Sequence, residues 1–361
     1  MSCNKNLTHA KRAKNDEFYT RLSDVSEELD RYVGEDGVSL FKGKTVYCNC
    51  DNCFVSNFFL YFALNFYKLG LKKLIATCYA PTHEAYSRFV FFEGIPPATM
   101  VRTAYKIELE GVEDHNGNGE IDKEDIEWLL NETDAVKVLD GDGDFRSPEC
   151  LELLDECDIV ATNPPFSLFR EFVSLLVSRG KDFTIIGNMN AFSYKDIFAY
   201  MLEGKCLPGY SFHKPMLFEV PDDYDGPSSI VDGKRMSVGP TVAWFTSMPI
   251  VRDNPPIDLQ AHYYGNEDKY PMYDNYDAIN VDSISEIPQD YEGIMGVPIT
   301  FLGKHTPDQF EVVDLFGKPT VNGKEIFTRI AIHNKKFPLK KIEKRMPNLL
   351  TRNSLYAIIG E

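Results

Sequence analysis

The stretch Asp158-Ile-Val-Ala-Thr-Asn-Pro-Pro-Phe-Ser-Leu-Phe169 places two consecutive prolines directly after a short apolar run. The run 159–161 is typical of a strand that is buried on both faces. The two prolines fix their own φ angles and lack N–H donors, so the strand must end before them. Apolar residues then recur at helical spacing from Leu168 to Val177, and Ser167 is a good candidate for the N-cap of that helix. The stretch therefore predicts a strand, a rigid turn and a helix.

Strand-like and helix-like runs alternate from residue 44 to about residue 250. The strand-like runs are 44–51, 72–80, 135–142, 158–163, 182–188 and 241–248, and the helix-like runs are 55–70, 147–157 and 167–180. This alternation predicts an α/β fold with a doubly wound, largely parallel sheet, whose ligands bind beyond the carboxyl ends of the strands. We assign residues 1–250 to this domain. The Pro-, Asp-, Asn- and Tyr-rich segment that follows predicts a second, C-terminal β-rich region at 251–361.

The composition indicates a folded protein with reduced thiols. Apolar residues make up 43% of the chain, and its eight cysteines accompany no apolar signal segment or membrane span, so a cytoplasmic protein is expected. The net charge of −17 is unfavourable for binding nucleic acid. Whole-chain charge does not exclude a local basic surface, however. The candidate DNA-binding residues are Lys340, Lys341, Lys344 and Arg345, for which a solvated basic face is the alternative.

The NPPF segment suits the methylation of a conjugated amino group. Such a nitrogen is a poor nucleophile because its lone pair is delocalised. The side-chain carbonyl of Asn163 and the main-chain carbonyl of Pro164 are two acceptors that can orient both N–H bonds. Pro165 stiffens this pair, and Phe166 offers a ring on which a flipped base can stack. The alternative is that the prolines only stop the strand.

Segments in the same order along most of the chain resemble one known family. They are KNDEFYTRLSDV (14–25), GKTVYCNCDNCFVSNFF (43–59), DGDFRSPECLELL (142–154), TNPPFSLFREFV (162–173), FTIIGNMNAFSYKDIF (183–198) and MGVPITFLGKH (295–305). Together they resemble the EcoRI-type adenine-specific DNA methyltransferases, of the γ order. The resemblance implies a Rossmann-like domain that uses S-adenosylmethionine, followed by a DNA-recognition region. It further implies N6 methylation of an adenine flipped out of double-stranded DNA at a GAATTC-like site, by a monomer from a type II restriction–modification system.

The resemblance also assigns roles to individual residues. Asn163, Pro164, Pro165 and Phe166 match the catalytic motif. Asp144 and Phe145 match the segment that contacts the adenine of the cofactor, and Tyr19 and Thr20 match the part near its methionine end. The turn after the first strand reads CNCDNC where the family usually has glycines, and Asn49 and Asp51 are the cofactor candidates there. No ribose ligand is assigned, because the second strand ends in TCYA without an acid.

The segment DHNGNGEIDKED (114–125) has the spacing of a calcium-binding loop inserted into the first domain. Its candidate ligands are Asp114, Asn116, Asn118, Glu120, Asp122 and Asp125. The loop departs from the usual pattern because Asp125 replaces the bidentate glutamate and no clear helix precedes it. An Asx-rich turn that caps the following helix is the alternative, so calcium as a structural ion stays open.

Other functions were weighed against the methyltransferase. Cys48, Cys50, Cys53 and Cys78 lack a second paired zinc knuckle and are better interpreted as small buried side chains. The acidic cluster of residues 140–144 lacks the nearby lysine that a two-metal nuclease usually has. Two alternatives stay open: an NPP-type methyltransferase acting on RNA adenine or protein glutamine, and a non-catalytic DNA-binding regulator.

Overall fold

A computed structural model of the full chain describes residues 19–79, 104–212, 214–219, 227–231, 233–239, 241–250 and 254–338. The chain divides into two compact units. The first contains Met1–Asn188 and Gly209–Val251, and the second contains Met189–Pro208 and Arg252–Glu361. A boundary between the two units therefore lies near residue 250, and residues 189–208 belong to the second unit.

The helices in chain order are α1 Leu22–Leu29, α2 Asn57–Leu64, α3 Phe66–Leu69, α4 Lys123–Glu132, α5 Pro148–Glu156, α6 Phe169–Ser178 and α7 Lys195–Leu202. The strands are β1 Tyr19–Thr20, β2 Thr45–Cys48, β3 Lys73–Thr77, β4 Tyr105–Leu109, β5 Val136–Val138, β6 Ile159–Thr162, β7 Asp182–Asn188, β8 Leu207–Pro208, β9 Met216–Glu219, β10 Ser229–Val231, β11 Lys234–Gly239, β12 Val242–Thr246, β13 Ile279–Asn280, β14 Ile294–Val297, β15 Phe310–Phe316, β16 Thr320–Val321, β17 Lys324–Glu325 and β18 Arg329–Asn334.

Seven strands of the first unit lie side by side in the order β5-β4-β3-β2-β6-β7-β12. The four central strands, β3-β2-β6-β7, are parallel, whereas β4, β5 and β12 join antiparallel. This mixed α/β arrangement, with a sheet that is parallel at its centre, confirms the predicted α/β class. The sequence prediction missed β4, although its alternating Tyr-Lys-Ile-Glu-Leu pattern is typical of a half-buried strand.

Strands β2 and β6 at the centre of the sheet are buried along their whole length, as their apolar runs predicted. All four residues of β2 and of β6 are buried, because helices cover both faces of a parallel sheet. On one face, Phe58 and Phe62 of α2 belong to the main hydrophobic core, and Phe58 contacts Trp244 of β12 with ring centroids 5.4 Å apart. The sheet is thus a rigid base for the loops at its carboxyl edge.

The predicted N-cap role of Ser167 is wrong. A 3₁₀ turn, Phe166–Leu168, comes between the prolines and α6, and Leu168 occupies the N-cap position without a side-chain cap. The cause is a main-chain hydrogen bond in which the N–H of Leu168 donates to the carbonyl of Pro165 at 2.9 Å. This bond winds the chain tightly before the α-helix begins, and it keeps Phe166 close to the end of β6.

The second unit is built around a four-stranded sheet in the order β13-β14-β18-β15. Strands β14, β18 and β15 are antiparallel neighbours, and their buried side chains form a small core with Tyr273, Phe316 and Ala331. Residues 254–293 contain short 3₁₀ turns and one short strand, so the predicted β-rich character of the C-terminal region is confirmed only in part. None of the helices in the described ranges is long and apolar enough to cross a membrane.

Candidate active site

Two neighbouring strand ends meet at the carboxyl edge of the sheet. Strands β2 and β6 pair in parallel, so the turn that follows β2 lies beside the NPPF segment that follows β6. The side chain of Asp51 joins them. Its Oδ1 accepts a hydrogen bond from Ser56 Oγ at 2.7 Å, and its Oδ2 lies 2.5 Å from Thr162 Oγ1. The main-chain N–H of Asn163 also donates to this carboxyl.

The turn after β2 makes a glycine-like bend without a glycine. Cys50 has a φ of +68°, the left-handed conformation that glycine adopts at least cost. Polar contacts hold the rest of the turn. The hydroxyl of Tyr105 donates to Asn52 Oδ1 at 2.7 Å, and Ser56 caps α2 by accepting from two main-chain N–H groups. The turn therefore bends sharply although it contains no glycine.

The segment 140–145 lies against the end of β3. Gly143 has a φ of +75°, and a Cβ atom there would overlap the carbonyl oxygen of Cys78. The Nε and Nη2 atoms of Arg146 donate to the two oxygens of Asp144 at 2.8 and 2.6 Å, which holds the pKa of Asp144 below its ordinary value. Phe145 is 2% exposed and contacts Phe172 edge-to-face. Both candidate side chains are thus engaged within the protein.

Replacing Gly143 by Ala should destabilise the protein. Gly43→Ala is the matched control, because Gly43 has a similar φ of +72° with no atom near its missing Cβ. Both variants incur the left-handed strain, but only Gly143→Ala meets the main chain of Cys78. Urea unfolding should show a loss about 1–3 kcal/mol larger for Gly143→Ala, the usual range for overpacking. Equal losses would mean that segment 140–145 can move away from β3 freely.

Two buried polar groups at this edge have no hydrogen-bond partner among the described residues. They are the hydroxyl of Thr20 and the side-chain nitrogen of Asn49. Thr20 is tied to the start of α2, since Asn57 Nδ2 donates to its carbonyl at 2.7 Å. Buried polar groups normally require partners. A ligand with carboxylate and amine groups, such as the methionine end of S-adenosylmethionine, fits this pair.

The structure brings together Thr20, Asn49, Asp51 and the NPPF segment around the ends of β2 and β6. The side chain of Tyr19 and the basic candidates Lys340, Lys341, Lys344 and Arg345 lie outside the described residues. Sequence analysis did not identify the residues that support this site, which are Asn52, Ser56, Tyr105 and Thr162. Of these, only Ser56 has a local signal, a serine directly before an apolar helical run.

The family model described as adenine-specific methyltransferase EcoRI matches residues 6–357. The chain belongs to this family. It is 41% identical to the type II methyltransferase M.EcoRI of Escherichia coli over 344 residues, which are 92% of this chain and 97% of that protein. It is also 36% identical to the type II methyltransferase M.MpnI of Mycoplasma pneumoniae and 35% identical to M.MgeORF184P of Mycoplasma genitalium. Each alignment covers 319 residues, 87% of this chain and 86% or 87% of the relative. No solved structure matches the chain.

Family membership establishes the class of reaction. The protein is an adenine-specific DNA methyltransferase that uses S-adenosylmethionine. The family resemblance, which was inferred from segments that follow one another in the same order along the chain, is therefore confirmed. The roles of single residues remain predictions, and the contacts described above are the basis on which we assign them.

In this methyltransferase the segment 114–125 is a hydrogen-bonded turn that caps α4. The carboxylate of Asp114 accepts from the main-chain N–H groups of Gly117, Asn118 and Gly119. Asp122 and Asp125 form a reciprocal capping box at the start of α4. Among the described residues, no group of three or more His, Cys, Asp or Glu side chains is placed to hold a metal ion. The predicted calcium site therefore has no support here, and the contacts are those of the alternative, an Asx-rich cap.

Replacing Asp122 by Ala should lower the melting temperature of the methyltransferase, because the first turn of α4 loses its side-chain acceptor. The loss should be the same in EDTA and in millimolar calcium, as measured by thermal unfolding. Glu127→Ala on the exposed face of α4 is a control that should change little. A melting temperature that calcium raises in the wild type but not in Asp114→Ala would restore the calcium site.

The cysteines of the site are buried thiols. Cys48, Cys53 and Cys78 are free and buried, and burial raises the pKa of each of them. These three are therefore protonated at neutral pH and contribute apolar packing, as the sequence interpretation proposed. Cys50, which was included in that interpretation, is only partly buried.

Proposed function

We propose that the protein methylates N6 of one adenine within a specific, GAATTC-like site of double-stranded DNA. We further propose that it does so in the cytoplasm, as the monomeric modification enzyme of a type II restriction–modification system. The relatives named type II methyltransferases support this proposal. The observation that carries it is the position of Asn163-Pro-Pro-Phe166, at the carboxyl end of a central parallel strand and tied to the turn after β2 by Asp51.

In this proposal the NPPF residues activate the amino group. The side-chain carbonyl of Asn163 and the main-chain carbonyl of Pro164 accept the two N6–H hydrogens and direct the nitrogen lone pair away from the ring. Phe166, which is half-buried against the main core, stacks on the extruded adenine. N6 would bond to the methyl carbon as the carbon–sulfur bond of the sulfonium breaks, which leaves a neutral thioether, and N6 would then lose one proton to solvent. S-adenosylmethionine, when bound, supplies a methyl group activated by its sulfonium centre.

We assign the cofactor to the adjacent strand ends. Thr20 and Asn49 bring buried polar groups that lack partners among the described residues, and they suit the methionine end. Segment 142–145 beside β3 suits the adenine end. Because Arg146 holds both oxygens of Asp144, a cofactor contact there shares or displaces this ion pair. Phe145 is buried against Phe172, so its ring offers little exposed surface to the adenine.

We assign target recognition to residues 251–361. The described part of this region contains a four-stranded, mostly antiparallel sheet and exposed polar loops. Phosphate contacts need positive side chains, although the net charge of the chain is −17. Lys340, Lys341, Lys344 and Arg345 would supply them. Replacing these basic residues by Ala should weaken binding to all DNA sequences and make that binding less dependent on salt concentration.

Sequencing that detects modified bases, on DNA from cells expressing the chain, tests the proposal. We expect N6-methyladenine at one recurring sequence, absent from cells that express Asn163→Ala. Modified cytosine, or adenine methylation without a recurring sequence, would contradict it. Transfer of labelled methyl groups to RNA or protein instead of DNA would favour the alternative transferases. DNA binding without any transfer would favour the regulator.

A further inference from the structure

Asp51 is a buried carboxyl group whose partners all belong to the protein itself. The residue is 8% exposed. Ser56 from the start of α2, Thr162 from the end of β6 and the main chain of Asn163 all hydrogen-bond to it. The side chain therefore connects three segments of the site and has little capacity left for a cofactor contact.

The two oxygen atoms close to the Thr162 hydroxyl bear on the protonation state of Asp51. Thr162 Oγ1 lies within hydrogen-bond distance of two acceptors, the carbonyl oxygen of Asn49 and Oδ2 of Asp51. A hydroxyl has one proton and can donate to only one of them. If Thr162 donates to the Asn49 carbonyl, the second contact needs a proton from Asp51. Each of the two contacts then contains one hydrogen, provided that Asp51 is a neutral carboxylic acid that donates to Thr162.

The surroundings favour the neutral acid. Burial raises the pKa of Asp51 to about 7, against the smaller lowering effect of its hydrogen bonds with Thr162, Ser56 and Asn163. Neutral side chains face the carboxyl from α2 and from β6. From β2 and its turn, the thiols of Cys48 and Cys50 face it, and their own pKa values are raised well above normal by burial. Among the described residues that influence Asp51, none carries a positive charge that would stabilise its anion.

We propose that neutral Asp51 is a positioning residue, which sets Asn163 and the turn after β2 in the relative geometry that methyl transfer requires. The inference rests on the proposed function, because it acts through Asn163. Since the N–H of Asn163 is anchored to Asp51, the direction of the Asn163 side chain depends on that anchor. Misplacement of a reacting group by about 1 Å can lower a rate on the order of a hundredfold.

Two variants test the proposal. Asp51→Leu has a similar size but removes every hydrogen bond, and should lower kcat on the order of a hundredfold per folded molecule. Asp51→Asn keeps a neutral side chain that both accepts and donates hydrogen bonds. Its kcat should be at least about tenfold higher than that of Asp51→Leu. The dissociation constants for DNA and S-adenosylmethionine should change only a few-fold in both variants, because Asp51 is not their ligand.

The pH dependence separates positioning from simple structural support. Wild-type kcat should fall as the pH rises through about 7, where Asp51 ionises, and the Asp51→Asn profile should lack this step. Identical profiles, or near-normal kcat in Asp51→Leu, would overturn the inference. Loss of cofactor affinity with normal kcat would instead make Asp51 a cofactor ligand, which also overturns it.

A carboxyl titration by ¹³C NMR, assigned by comparison with Asp51→Asn, gives a readout that does not need activity. A midpoint near 7 supports the neutral acid, and a midpoint below about 5 overturns it whatever the enzyme does, since that is the range of ordinary carboxyl groups. An inactive wild type on DNA would contradict the proposed function only, so the two failures are distinguishable.

Discussion

Asn163→Ala should lower kcat on the order of a hundredfold or more, the usual effect of losing one well-placed polar contact in a dry site. The affinities for DNA and cofactor should remain within a few-fold of wild type, because the lost acceptor acts on N6 during transfer. Single-turnover methylation with labelled S-adenosylmethionine measures the rate, and circular dichroism measures the folded fraction. Asn131→Ala is the matched control, since Asn131 is exposed on α4 and bonds only to its own helix.

Base extrusion distinguishes the role of Asn163 from that of Phe166. A 2-aminopurine at the target position brightens when it leaves the stack, and Asn163→Ala should still extrude it without methylation. Phe166→Ala should weaken the extruded state by about 1–3 kcal/mol, the range for one base stacked on an aromatic ring. If the activity of either variant fell only in proportion to its folded fraction, the segment would serve only to end strand β6. Near-normal turnover in folded Asn163→Ala would contradict the catalytic assignment.

Asp51→Asn should make the protein less sensitive to pH. Burial raises the pKa of Asp51 from 3.8 to about 7 in the folded state. The folded protein therefore retains a proton that the unfolded chain releases above pH about 4. Between these two values the stability contributed by Asp51 falls as the pH rises, by about 1.4 kcal/mol per unit.

Urea unfolding at several pH values tests this sign. From pH about 5 to about 7, the free energy of unfolding of wild type relative to Asp51→Asn should fall by roughly 2 kcal/mol. Above the folded-state pKa the difference should become constant. A difference independent of pH would show that Asp51 titrates as an ordinary carboxyl. A difference that grew with pH would show a carboxylate stabilised in the folded state.

Local signals in the sequence predicted most of the central sheet. Each of the six strand-like runs contains a strand, and the helical runs 55–70, 147–157 and 167–180 contain α2 with α3, α5 and α6. The cap of α6 was predicted wrongly, because Pro165 and Leu168 form a 3₁₀ turn that competes with the Ser167 cap. The calcium loop also had a strong spacing signal, yet the same Asx residues satisfy main-chain N–H groups and cap α4.

The sequence by itself determined where the strand of NPPF ends and which residues follow it, because proline geometry and apolar periodicity act over a few neighbouring residues. Only the tertiary structure decided what that segment touches. Asp51 and Thr162 are 111 residues apart in the chain, and they meet because β2 and β6 are adjacent parallel strands. The order of strands is set by how the crossovers bury the whole sheet. No local pattern at Asp51 therefore reveals that its carboxyl anchors Asn163.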